Sequence, residues 1–135
     1  MIRRTLVVGV VAIATILAGC GAIEKKSRTA KLDRAVQGYA AAIRWGDIET
    51  VSGFLRPRKS DSPLPNLAML RNIRVTSYQA RVGASGPDAD EARMVASFEY
   101  QKASSARLKS ITQTALWWYD AETEGWFLDG SIPDF

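Results

Sequence analysis

Histidine is missing from this 135-residue chain, and cysteine occurs once, at Cys20. The first absence removes the commonest metal ligand and the side chain best suited to proton transfer near neutral pH. A single thiol has no partner for an intrachain disulfide. The sequence also lacks a glycine-rich phosphate loop, a dinucleotide fingerprint and a cluster of metal-ligand residues. Its 18 basic residues are scattered among 14 acidic ones and form no stripe of the kind that tracks a nucleic-acid backbone. Nucleic acid is therefore not an expected partner, and no cofactor is implied.

The amino-terminal stretch carries the clearest signal. Arg3 and Arg4 precede an uncharged run over residues 5–18, and small residues then lead to Cys20. This is the layout of a secretory signal peptide. A retained transmembrane helix needs about 20 predominantly apolar residues. The uncharged stretch before Glu24 is only just that long and contains Gly9, Gly19 and Gly21, so spanning is marginal. Plain secretion would leave Cys20 as a lone thiol in an oxidising compartment, where it is a liability.

Leu17-Ala18-Gly19-Cys20 resembles the lipobox of bacterial lipoproteins, which takes Leu, then Ala or Ser, then Gly or Ala, then Cys. The resemblance implies cleavage between Gly19 and Cys20, a diacylglyceryl group on the Cys20 sulfur and palmitate-type acylation of the new amino terminus. Each buried methylene contributes about 0.8 kcal/mol, and stable attachment takes at least two membrane signals. Two or three acyl chains meet that requirement. Acylation also consumes the thiol, leaving none for a metal or a nucleophile. Gly21 stands where Asp is the commonest inner-membrane retention signal, so the expected location is the outer membrane, facing the periplasm.

Residues 1–19 are thus read as signal peptide, 20–30 as lipidated cysteine and tether, and 31–135 as one folded domain, a size able to bury its own core. Loss of Arg3 and Arg4 with the signal takes the charge from +4 to +2, with 16 basic residues against 14 acidic. Lys25, Lys26 and Arg28 lie close to the lipid, where each gains on the order of 1 kcal/mol beside anionic headgroups or is simply solvated.

Within the domain, Leu32, Val36, Tyr39 and Ile43 advance by four, three and four residues, predicting one apolar helical face over residues 30–45. Gly46 supplies a left-handed cap and Asp47 an N-cap for a short second helix, with Ile48, Val51, Phe54 and Leu55 inward. A loop with Pro57, Pro63 and Pro65 follows; residues 66–71 form one or two helical turns. The period then becomes two, predicting strands over 73–83, 93–100, 108–119 and 126–129. Pairing of Tyr119 with Trp126 across the 120–125 turn sets Trp117 opposite Leu128 and Trp118 opposite Phe127, unless a bulge at Gly125 shifts the register.

This order of elements, with residues 39–48 (Tyr-Ala-Ala-Ala-Ile-Arg-Trp-Gly-Asp-Ile) and 125–130 (Gly-Trp-Phe-Leu-Asp-Gly), resembles the NTF2-like superfamily of α+β cones, which includes the SnoaL-like cyclases. The resemblance implies N-terminal helices packed on a curved antiparallel sheet, with a pocket between them. It does not imply one activity, because function resides in sites grafted on a fold. The expected role is a non-catalytic binding or interaction module that meets an envelope protein or a small apolar ligand. The alternative is an isomerase-like or cyclase-like enzyme using a buried carboxylate as base.

Candidate pocket or interface residues are Tyr78, Tyr100, Trp117, Trp118 and Asp129, with Gln79, Gln113 and Thr114 as further polar lining. Trp117 and Trp118 must point to opposite faces of their strand. One is core, and the other is a candidate anchor for a partner. Asp120 is read as the residue that starts the hairpin turn, Tyr39 as core, and Arg56, Arg58 and Lys59 as a solvated loop or an anion contact.

Overall fold

The computed structural model describes residues 19–135 apart from 60, 64 and 85, with side chains from residue 28 onward. Residues 1–18 of the segment read as a signal peptide, and the side chain of Cys20, lie outside the described residues. The architecture is α+β, with helices packed on one face of an open antiparallel sheet. The elements are α1 (Gly19–Trp45), α2 (Ile48–Phe54), a 3-10 helix (Leu67–Asn72), β1 (Ile73–Ala84), β2 (Glu91–Lys102), β3 (Lys109–Asp120) and β4 (Gly125–Asp129). The strands lie in the order β1-β2-β3-β4, each antiparallel to the next. Among the described residues no helix is long and apolar enough to cross a membrane.

The local signals explain the helices. α1 stops where Gly46 adopts a φ of +67°, a conformation that costs glycine little. Asp47 then caps α2, accepting hydrogen bonds from the Thr50 amide at 3.1 Å and the Thr50 hydroxyl at 2.7 Å. Asn66 does the same for the 3-10 helix, accepting from the Ala68 amide. One boundary differs from expectation. α1 takes in residues read as a tether, and Arg28, within this stretch, is tied into the domain.

Sheet periodicity places the core. In β2 the even residues Ala92, Met94, Ala96, Phe98 and Tyr100 are buried and the odd ones exposed. The helices cover this inner face, and the side chains of Leu32, Val36, Tyr39 and Ile43 meet Met94, Phe98, Trp117 and Leu128 in one cluster. Full burial of side chains this large favours folding by roughly 1.5–3 kcal/mol apiece. β1 changes phase: Val75 pairs with Tyr100 but Ser77 pairs with Glu99, leaving Thr76 as a bulge. The extra residue turns Tyr78, Ala80 and Val82 inward instead of Ser77, Gln79 and Arg81.

The β3–β4 hairpin has the expected register: Tyr119 opposite Trp126, Trp118 opposite Phe127 and Trp117 opposite Leu128. Gly125 pairs directly with Asp120, and the turn takes its left-handed residue at Glu124, φ 53°. Beyond Gly130 the chain folds back under the sheet. Ile132 and Phe135 are buried there, and the Phe135 ring meets Tyr100 edge-on at 5.0 Å and Phe98 at 5.7 Å.

Candidate functional site

The five residues proposed from the sequence do not converge on one site. Tyr78, Tyr100 and Trp117 point to the inner face; Trp118 and Asp129 belong to the outer one. Trp117 is fully buried, with its indole N–H donated to the Met94 sulfur at 3.2 Å. Tyr39 and Phe54 pack edge-on against it at 5.8 and 5.9 Å. Tyr100 is held by Phe135, and Tyr78 lies half-buried 6.5 Å from Phe98. The inner face thus holds a packed aromatic interior between helix and sheet.

One polar relay crosses that interior. The Tyr39 hydroxyl donates to Oε1 of buried Gln113 at 3.0 Å, and Nε2 of Gln113 donates to the Ser131 carbonyl at 2.8 Å. Burial pushes the Tyr39 phenol well above its ordinary range, with the Gln113 hydrogen bond opposing it, so it stays protonated. Of the other polar side chains expected near a pocket, Gln79 and Thr114 are exposed, on the opposite face from Gln113. No carboxylate is buried among the described residues. Asp129 accepts the Arg58 backbone N–H at 3.1 Å, a loop-pinning contact rather than the setting of a catalytic base.

Trp118 is not a bare anchor. The segment after α2 runs beside β4, where Leu55 bridges to Leu128 and the Arg56 amide donates to the Leu128 carbonyl. Its side chains then fold over the outer face. The Trp118 indole donates to the Arg56 carbonyl at 2.9 Å, the Arg56 guanidinium lies 3.8 Å over the Phe127 ring, and that of Arg58 lies 5.7 Å from Trp118. Arg56 also pairs with Asp120 at 2.9 Å, and Arg58 pairs with Glu91. Two of the three cations read as a loop cluster are therefore engaged within the fold. Asp120 starts the turn as expected. The Thr123 hydroxyl, the Glu122 amide and the Arg56 guanidinium bind its carboxylate and hold it below its ordinary range against some loss of hydration.

Arg28 has a similar role at the start of the domain. Its guanidinium sits 4.0 Å over the Tyr119 ring and donates to Asp90 at 3.0 Å, while its carbonyl accepts the Trp126 indole N–H. These contacts join α1 to both hairpins and leave Arg28 committed to the fold rather than to a lipid headgroup. Lys31 adds a long pairing with Glu124 at 3.9 Å.

Several hollows mark the surface, and one of about 470 Å³ beside β3 and the carboxy-terminal segment has Gln113, Thr114 and Asp129 among its lining residues. A shallow one of about 300 Å³ lies on the outer face of β1–β3, with Ser77, Gln79, Ser97, Glu99, Ser110 and Thr112 among its lining residues. A larger groove, about 560 Å³, runs between the end of α1 and the start of β1, with Arg44, Trp45, Leu70, Arg71, Arg74 and Thr76 among its walls. Sequence reasoning missed this groove because its residues come from three elements. The one available hint was Trp45, an aromatic residue off the apolar face of its helix. No set of His, Cys, Asp or Glu residues suited to hold a metal occurs among the described residues.

No protein-family model matches the chain, and no curated protein matches it.

Proposed function

We propose that this chain is a lipid-anchored lipoprotein of the bacterial envelope, held by acylated Cys20 at the periplasmic face of the outer membrane. Its NTF2-like domain acts there as a non-catalytic interaction module. The observation that carries the anchor is Leu17-Ala18-Gly19-Cys20, a full lipobox after Arg3, Arg4 and an apolar run. The α+β architecture with helices on the inner face of an antiparallel sheet supports the NTF2-like assignment. The packed aromatic interior supports a module that works through its outside, because Tyr39, Phe98, Trp117 and Leu128 occupy the space a buried substrate would need.

Intact-mass analysis of protein purified from membranes tests the anchor. The expected species begins at Cys20 and carries two or three acyl chains; Cys20→Ala is expected to remain uncleaved and unacylated. A native protein that keeps Met1, or one that begins after Cys20, overturns the reading.

A further inference from the structure

The four described ion pairs share one pole of the domain. Arg28–Asp90, Lys31–Glu124, Arg56–Asp120 and Arg58–Glu91 all draw their acids from the hairpin tips or the adjoining start of β2. The opposite pole is built from the end of α1, the 3-10 helix, the start of β1 and the β2–β3 connection. It carries Arg44, Arg71, Arg74, Lys102, Arg107 and Lys109, none in an ion pair among the described residues. Asp47 lies nearby, but Thr50 holds its carboxylate as the cap of α2.

Three of these cations, Arg44, Arg71 and Arg74, line the 560 Å³ groove. Beside them Trp45 is 77 % exposed, the most of any large hydrophobic side chain among the described residues, with the Arg44 guanidinium 5.5 Å from its ring. The groove's remaining wall is residues 73–76 of β1, the terminal strand of the sheet. Every second residue of such a strand turns its N–H and C=O away from the neighbouring strand. Further along, Gln37 donates to the Ala80 carbonyl and so covers part of this edge. Residues 73–76 lie beyond that contact.

From these features we infer that the groove binds an extended acidic segment of a partner protein, added as a strand along β1 with its carboxylates on Arg71 and Arg74 and an apolar side chain against Trp45. Main-chain pairing supplies affinity in this mode, and side-chain pockets supply selectivity. Guanidinium groups suit carboxylates because their fixed donors can bind both oxygens. The inference deepens the proposed interaction module and rests on the anchor for one point only. Cys20 lies at the start of α1 and the basic pole at its end, so with Cys20 anchored the pole faces away from the bilayer and toward proteins of the periplasm.

The test uses the full chain in dodecyl maltoside micelles and a fluorescein-labelled octapeptide of alternating Asp and Val, followed by fluorescence anisotropy. Saturable binding is expected, weakened about tenfold or more in the Arg71→Ala/Arg74→Ala double variant and several-fold in Trp45→Ala. All three residues are exposed, so the variants keep the fold, which circular dichroism checks. A peptide methylated on alternate backbone nitrogens is expected to bind about tenfold more weakly, and a Lys/Val peptide not at all. Absence of binding, equal affinity in the variants or undiminished binding of the methylated peptide overturns the proposal. So does arginine-dependent binding to phosphatidylglycerol vesicles in place of the peptide, which would make the pole a bilayer contact. The detergent assay does not depend on acylation, so its failure leaves the anchor standing, and an unacylated Cys20 would leave the groove standing.

Discussion

Tyr39 on α1 and Gln113 on β3 form the buried polar link between helix and sheet, phenol oxygen to Oε1 at 3.0 Å, and Gln113 extends it to the Ser131 carbonyl. Tyr39→Phe leaves the aromatic packing on Phe54 and Trp117 in place but strips a buried acceptor of its donor. The expected loss is about 1–3 kcal/mol. Chemical denaturation measures it, and a Tyr39→Phe/Gln113→Leu double variant more stable than Tyr39→Phe identifies the orphaned amide as the cause.

Gly46 joins α1 to α2 at φ +67°. A methyl group there meets only the Leu70 carbonyl oxygen at 3.6 Å, an ordinary contact, so the penalty of Gly46→Ala is conformational. About 1–2 kcal/mol is expected. Gly53, with nothing near its added carbon, is the control: Gly53→Ala lies within α2 and is expected to raise stability slightly.

Trp118 is held by its indole N–H on the Arg56 carbonyl. Trp118→Phe keeps an aromatic ring opposite Phe127 and deletes the donor, at an expected cost of about 1 kcal/mol. Amide hydrogen exchange is expected to quicken at Arg56 and Arg58, whose backbone N–H groups bond Leu128 and Asp129. Unchanged exchange there would show that the segment is fastened by its other contacts.

Asp120 sets a pH dependence with a definite sign. Its folded pKa lies below the ordinary 3.8, through the Thr123 hydroxyl first and then the Glu122 amide and Arg56. A depressed carboxylate stabilises the fold fully above the unfolded value and loses that contribution as the pH falls through the folded one. Asp120→Asn is therefore expected to lower the melting temperature at about pH 7 and to converge on the native protein as the pH falls through the depressed folded value. A difference that persists in acid would trace the effect to turn geometry rather than charge.

Arg28→Ala is expected to destabilise the domain even in protein that carries no lipid. The substitution removes the cation over Tyr119 and the Asp90 contact together. A cation over an aromatic ring contributes about 0.5–1 kcal/mol at an exposed site and more when it is desolvated. Equal stability of the two proteins in detergent would return Arg28 to the membrane interface.

The proposed anchoring motif, Leu17-Ala18-Gly19-Cys20, is a contiguous string and needs no fold to be read, and the helices and strands were legible because burial imposes a period of 3.6 or 2 on apolar positions. Caps at Gly46 and Asp47 were equally local, since each depends on a backbone angle or a partner within a few residues. The hairpin register followed from a short turn between Trp118 and Phe127, and the opposite faces of Trp117 and Trp118 followed from strand geometry alone.

Tertiary structure decided the rest. The bulge at Thr76 is fixed by pairing with β2, and it selects Tyr78 over Ser77 for the core. Whether Trp118 stays bare depends on a segment some sixty residues earlier in the chain, so no local pattern announces that Arg56 and Arg58 cover it. Phe135 fills the inner face only because the chain turns back after Gly130. The basic groove likewise exists only once the end of α1, the 3-10 helix and the edge of β1 meet. Sequence by itself determined the elements, which are governed by neighbours along the chain; only packing decided which side chains are free to meet a partner, because exposure and charge pairing depend on neighbours in space.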